Sequence, residues 1–200
     1  MTKYQTMKIV LDVETTNLPP SRTRNQSPRN VCVDDYSNAF VIELGYLIID
    51  DNHNVIKSVT NLLVHSPPQC ISNTEFHGIT DADVLEKGRS SLEVLNDLSE
   101  DLKTFNVDTM IAHNATFDMN FLVAESKRYG MKNVTEQLCG LYSFCTMRSQ
   151  PGKFQKLNVL YKTITGFAPP VSHRALADCE TCLVCYIHLV NKIDAPEHAC

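Results

Sequence analysis

The sequence predicts an α/β fold, a mixed sheet flanked by helices, on two patterns. Three short apolar runs lie in its N-terminal part, and turn-rich polar segments follow the first two. Beyond them, helical patterns alternate with further strand-like runs. Strands joined by turns and then strands alternating with helices imply a mixed sheet with helices on its faces.

Each element has its own warrant. Lys8 to Val13 reads as the first strand, because Ile9, Val10, Leu11 and Val13 form a nearly continuous apolar run. Asn17 to Asn38 is polar and rich in Pro, Ser, Asn and Arg, and is expected to be a long loop. Val41 to Ile49 and Val55 to Val64 are two further strands, parted by the polar turn Asp50-Asp51-Asn52-His53-Asn54. Thr80 to Glu86 reads as a short helix. Ser90 and Glu93 have the spacing of a capping box. They open a helix carrying Leu92, Leu95, Leu98, Leu102 and Phe105 at helical spacing. Thr109 to Ala112 is a short strand. Phe117 to Tyr129 is a helix stopped by Gly130, with Phe117 and Phe121 one turn apart. Tyr142 to Cys145 is the last strand, the fifth in all. Leu157 to Thr165 is a helix ended by Gly166, Pro169-Pro170 breaks the chain, and Ala175 to Asn191 is the final helix.

The 200 residues suit one domain, with a core over about 8–190, the loop 17–38 and a short tail 191–200. Composition is ordinary at 43% hydrophobic and 20% charged. No apolar run approaches a membrane span. Residues 1–7 pass straight into the first strand without the features of a signal peptide, so an intracellular place, cytoplasmic or nuclear, is expected. The eight cysteines then read as reduced, mostly buried thiols. A net charge of −5 argues weakly against nucleic-acid binding. The objection shrinks if several acids are committed to cations.

Chemistry-bearing residues fall in three short clusters. Asp12 and Glu14 are two apart on a strand, so their carboxylates leave the same face, where they repel unless a cation sits between them. Alone, the pair is better read as an acidic strand end entering a loop. Asp118 closes His113-Asn114-Ala115-Thr116-Phe117-Asp118 and falls in the first turn of a helix, where the dipole favours a carboxylate. Alone, it is as well read as a helix start capped by Thr116. His173 and Asp178 flank the start of the last helix, the His in a loop and the Asp just over a turn inside. Carboxylates gathered from distant segments are how proteins bind two Mg²⁺ ions for phosphoryl chemistry, and a histidine beside them supplies a base near neutral pH.

In this order and with these neighbours, the clusters resemble the three motifs of the DEDDh 3′–5′ exonucleases. That family is the DnaQ-like branch of the RNase H-like fold, typified by polymerase proofreading subunits. The likeness covers roughly Lys8 to Val190 and implies an RNase H-like, mixed five-stranded sheet. It implies that Asp12 bridges two metal ions, Mg²⁺ with Mn²⁺ as a substitute. Glu14 and Asp178 would hold one ion and Asp118 the other, with His173 as general base. Backbone near Thr15 and Thr16 would contact the 3′-terminal nucleotide, and Leu18 would wedge against its base. His113 and Asn114 would line the cleft near the scissile phosphate, and Phe117 would pack beside it. Phe76-His77-Gly78-Ile79-Thr80 resembles the loop that shapes the terminal-nucleotide pocket, which brings in His77. The spacing His173-Arg174-Ala175-Leu176-Ala177-Asp178 is that of the histidine subclass; the tyrosine subclass carries its Tyr at the place of Arg174.

The resemblance therefore implies hydrolysis of terminal phosphodiester bonds, releasing nucleoside 5′-monophosphates. Single-stranded or frayed 3′ ends of DNA are the expected substrate, with a separate polymerase as a possible partner. RNA trimming, a phosphodiesterase acting on small dinucleotides, and a non-catalytic nucleic-acid-binding module of the same fold are the alternatives. Two further features need a reading. Cys179, Cys182, Cys185 and His188 have a zinc-like look. Steps of three on a helix rotate by about 300° each and fan the side chains apart, so packing is expected instead. Arg22, Arg24 and Arg29 make the long loop locally basic, either to guide single-stranded substrate or merely as a solvated segment, with Asp34 and Asp35 offsetting part of the charge.

Overall fold

Val41–Ile49 is buried at every position, as its run of apolar residues, broken by Glu43 alone among charged groups, suits a strand covered on both faces. In the computed structural model, which describes residues 6–23, 25–150, 154–170 and 173–194, this strand lies inside one six-stranded sheet. The strands are Met7–Thr15 (β1), Val41–Ile49 (β2), Val55–Val64 (β3), Arg89–Ser90 (β4), Val107–Ala112 (β5) and Tyr142–Cys145 (β6), in the order β4-β3-β2-β1-β5-β6. β1, β2 and β3 pair antiparallel, while β5 runs parallel to β1 and β6 parallel to β5. The helices are Thr74–His77 (α1), Asp81–Lys87 (α2), Ser91–Thr104 (α3), Ala115–Arg128 (α4), Lys132–Gly140 (α5), Leu157–Thr165 (α6) and Ala175–Asp194 (α7).

Alternation along β1 sorts the two layers. Ile9, Leu11 and Val13 join Leu98 of α3 and Phe121 of α4 in the larger core cluster. Val10 faces the other way, with Leu47 of β2, onto Cys179, Cys182 and Tyr186 of α7. Cys185 packs with Leu160 and Leu189. The three cysteines are therefore divided between two apolar clusters along one unbroken helix. No helix among the described residues is long and apolar enough to cross a membrane.

Four details differ from the sequence expectation. The sheet has a sixth strand, β4, whose two residues pair with Leu63 and Val64. Ser90 is drawn into that pairing, so it caps α3 without a side-chain bond, and the capping box with Glu93 does not form. Ser91 Oγ instead donates to the Val64 carbonyl at 3.0 Å, and the reciprocal capping box forms earlier, between Thr80 and Asp83. Helix α5 was unexpected; its Val134 and Leu138, four apart, bury one face. The described residues of the segment 17–38 form a strap across α4, with three short 3₁₀ turns. Val31 and Tyr36 sink into the core, and α4 holds the strap's carbonyls through Lys127 (to Val31, 2.7 Å), Arg128 (to Tyr36, 2.7 Å) and Asn120 (to Gln26, 3.0 Å). Two of its arginines are engaged within the fold: Arg22 pairs with Asp35 of the strap, and Arg29 donates to the Cys139 carbonyl of α5 at 3.2 Å. Arg24 and the tail beyond Asp194 lie outside the described residues.

Candidate active site

Asp12 and Glu14 share the parity of Val10, so both carboxylates leave the sheet on the α7 side. Asp178, in the first turn of α7, meets them there. One carboxylate oxygen from each of Asp12, Glu14 and Asp178 lies within 4.8 Å of the other two. Asp118 arrives from the opposite layer, in the first turn of α4. It is buried; its Oδ1 accepts from the Val13 amide at 3.3 Å, and its Oδ2 has no hydrogen-bond partner.

Crowding and burial raise the proton affinity of all four groups. Burial pushes the Asp12 carboxyl well up, and the charges of Asp118, Asp178, Glu14 and Glu43 add to it. Glu14 rises to about 7, through burial first and then Asp178 and Glu43, with Arg174 pulling the other way. Asp118 rises to about 8 through burial, against the bond from the Val13 amide. Burial also raises Asp178, opposed by the bond from the His173 amide. Only a cation relieves such repulsion without giving up the charges. An all-oxygen donor set beside an orphaned buried Oδ2 suits a hard divalent ion. The cluster of Asp12, Glu14 and Asp178 can thus hold a divalent metal.

His173 stands on the rim with an exposed ring and a left-handed backbone, φ +61°. Its amide donates to Asp178 Oδ2 at 2.9 Å, which ties the loop to the carboxylate five residues on. A groove of about 460 Å³ runs past His173 and Asp178 to His113 and Asn114.

The profile of the exonuclease family RNase_T matches residues 9–186, nearly the whole chain. The chain is a member of the RNase_T exonuclease family. Two curated relatives, the PolC-type DNA polymerase III of two Streptococcus agalactiae strains, are 27% identical over 144 residues, which is 72% of this chain but 8% of theirs. The chain thus spans a small part of those proteins' length. E. coli exonuclease I, solved in complex with a dT13 oligonucleotide, superposes with a TM-score of 0.66 at 14% identity, over 94% of this chain and 41% of that one. A 3′-exonuclease solved in 3′-end-specific recognition of a histone mRNA stem-loop gives 0.61 at 13% identity, over 94% and 65%. Family and fold are those expected from the motifs: a DnaQ-like exonuclease on an RNase H-like sheet.

The RNase_T site also depends on residues that the motif reading passed over. Glu43 of β2 lies opposite Glu14 in the sheet and is buried. It accepts from Arg174 Nη2 at 2.6 Å and from the Ala175 amide at 2.9 Å, so it seats the start of α7 and with it Asp178. A lone acid inside an otherwise apolar strand was the available signal. Glu43→Ala is expected to cost about 1.5–3 kcal/mol, the range for hydrogen bonds to a charged group. Turnover should fall with it, and Glu43→Gln should lie between; thermal melts and steady-state rates check both. Gly45, opposite Asp12, is the second such residue. A Cβ there would lie 2.4 Å from the Leu176 nitrogen and 2.5 Å from the Ala175 carbonyl carbon. Glycine therefore lets the first turn of α7 lie flat on β2. Gly45→Ala is expected to cost about 1–3 kcal/mol or more by overpacking and to lower activity by shifting Asp178, measured in the same two assays.

The remaining predicted residues divide by environment. Leu18 is 68% exposed and lines, with Phe117 and Asn114, a second groove between the strap and α4. Phe117 also packs on Phe121, ring centroids 4.7 Å apart. His113 is half-buried; its nitrogens meet Thr146 Oγ1 and the Gln155 carbonyl at 2.9 Å each, and burial lowers its pKa. Thr15 Oγ1 donates to the Asn17 carbonyl at 3.2 Å. Thr16 is buried, its hydroxyl accepting from the Phe40 amide at 3.1 Å, and its carbonyl is held by Asn73 Nδ2 at 2.8 Å. The His77 ring is buried between the Ser72 carbonyl and the Ile79 amide at 3.1 and 3.0 Å. His77 and Thr16 thus brace neighbouring backbone with their side chains, and neither lines either groove.

Proposed function

We propose that this exonuclease removes nucleotides one at a time from the 3′ end of single-stranded DNA, with two Mg²⁺ ions and His173 as general base. One observation carries the reading: Asp12, Glu14 and Asp178 converge within 4.8 Å, and Asp178 lines a groove together with His173. In this reading Asp12, Glu14 and Asp178 hold one ion, and Asp12 and Asp118 the second. Such ions, when bound, acidify the attacking water and balance charge on the leaving oxygen. The protein's own part is positional. The His173 imidazole takes the water's proton, and Asp178 keeps the His173 loop in place through the 2.9 Å bond. Thr15 to Leu18 enclose the terminal nucleotide, and His113 and Asn114 border the path of the scissile phosphate. The products are a nucleoside 5′-monophosphate and a strand shorter by one.

The DNA preference is supported by the Asp-x-Glu-Thr-Thr and His-Gly-Ile-Thr stretches, which resemble proofreading enzymes, and by the PolC-type relatives. A separate polymerase is the partner that a proofreading role requires. The likeness to the 3′-exonuclease solved on histone mRNA favours a second reading, RNA trimming. Single strands of DNA and RNA carrying 5′ labels, incubated with Mg²⁺, separate these readings. DNA shortening stepwise from its 3′ end, faster than RNA, is expected. A 3′-phosphate should block it and EDTA should stop it, while Ca²⁺ should permit binding without cleavage. Internal cuts, or equal resistance to 3′ and 5′ blocks, would defeat the reading.

A further inference from the structure

We infer that Phe154 and Arg148 hold the nucleotide just upstream of the scissile bond, Phe154 as a stacking platform and Arg148 as its phosphate contact. The inference rests on the exonuclease reading above and adds a subsite to it.

Phe154 borders two grooves at once. One is the groove of His173 and Asp178; the other, about 560 Å³, lies between the strap and α4. Asn114, Met147 and Phe154 border both grooves, and of these Phe154 offers an aromatic face to a strand passing from the first to the second. That ring is 64% exposed, a large apolar face left to solvent. The second groove is walled mainly by apolar side chains, among them Leu18, Tyr36, Phe117 and Met147, which suit the faces of a base. Arg148 stands over this path. Its guanidinium lies 6.0 Å from the Phe154 ring centroid, and its Nη2 donates to Asn25 Oδ1 at 3.0 Å on the facing wall.

The chemistry of these contacts points to a single strand. An aromatic face with a cation beside it is how proteins hold unpaired nucleotides without reading their sequence. The partner of Arg148 in this structure is a neutral amide. A phosphate oxygen offers it an ion pair as well as the hydrogen bond, so Arg148 would exchange Asn25 for the strand. Strap and facing wall meet at Arg148 and Asn25.

The test compares two substrates in Mg²⁺: a single-stranded DNA 15-mer, and the p-nitrophenyl ester of thymidine 5′-monophosphate, which has no upstream nucleotide. For Phe154→Ala the ratio of kcat/KM on the 15-mer to that on the ester should fall on the order of tenfold to a hundredfold, the range for loss of one base–aromatic stack. Phe154→Trp should restore the ratio. Arg148→Gln should weaken binding to the 15-mer and flatten its dependence on log salt by about 0.7, one phosphate contact on a single strand. An unchanged ratio in Phe154→Ala, an equal loss on both substrates, or an unaltered salt slope in Arg148→Gln would overturn the inference. A wild-type protein that degrades neither substrate would instead defeat the exonuclease reading itself. Phe154 and Arg148 lie at the surface, so neither change threatens the fold.

Discussion

Asp12→Asn is expected to abolish nearly all turnover while making the metal-free protein more stable. The two effects share a cause. Asp12 stands closest to the centre of the acidic cluster, in contact electrostatically with Asp118, Asp178 and Glu14. Removing its charge removes the group that would touch both ions. Loss of several kcal/mol of transition-state stabilisation corresponds to a fall of at least about 10³-fold. Without metal the sign reverses. The cluster's carboxyls have folded-state pKa values above their ordinary range, with Glu14 at about 7 and Asp118 at about 8. A raised folded-state value means that the folded protein binds protons more tightly than the unfolded chain. The folded protein therefore loses stability as pH rises from the ordinary carboxylate range through about 8. In EDTA at pH 8 the Asn variant should melt above wild type, by about 2–4 °C for each kcal/mol of repulsion relieved. Mg²⁺ should raise the melting temperature of wild type far more than that of the variant. A variant that melts at or below wild type in EDTA, or that keeps substantial turnover, would refute the assignment of Asp12.

His173→Ala should give the second-largest effect, a loss of roughly 10²–10⁴ in kcat, with metal and substrate binding largely retained. The split follows from geometry. The ring is exposed on the rim and is not among the three clustered carboxylates, while its backbone amide does the structural work by bonding Asp178. A side-chain truncation leaves that amide in place. Turnover near the wild-type level in His173→Ala would place the base elsewhere. Glycine at 173 offers a control, because a positive φ costs it nothing. Glycine and alanine variants with equal residual rates would confine the loss to the ring.

What could be read from the sequence follows from where the physics is local. Strand boundaries for Val41–Ile49, Val55–Val64 and Tyr142–Cys145, and the helix Leu157–Thr165, coincide with their apolar runs and terminators. Hydrophobic period and turn residues act over a few positions and need no partner to be recognised. The two-residue spacing of Asp12 and Glu14 set their common face for the same reason. Motif resemblance then brought in Asp118, His173 and Asp178, because short segments with flanking residues carry the family's imprint even when the rest has diverged. The strap 17–38 shows the limit. Its composition reads as loop, yet α4 holds it by side chains about ninety or more positions away, and two of its arginines are used up within the fold.

By itself, then, the sequence determined the layered α/β plan, the order of the three acidic clusters and the family. The tertiary structure alone decided how those clusters come within reach of one another. Glu43 had to be buried to seat the start of α7, Gly45 had to lack a Cβ for that turn to lie on β2, and Asp118 had to cross from the opposite layer. The same holds for the raised proton affinities and for the second groove beside Phe154. Desolvation and charge repulsion act through space between residues far apart in the chain, and they take effect only when folding has closed those distances.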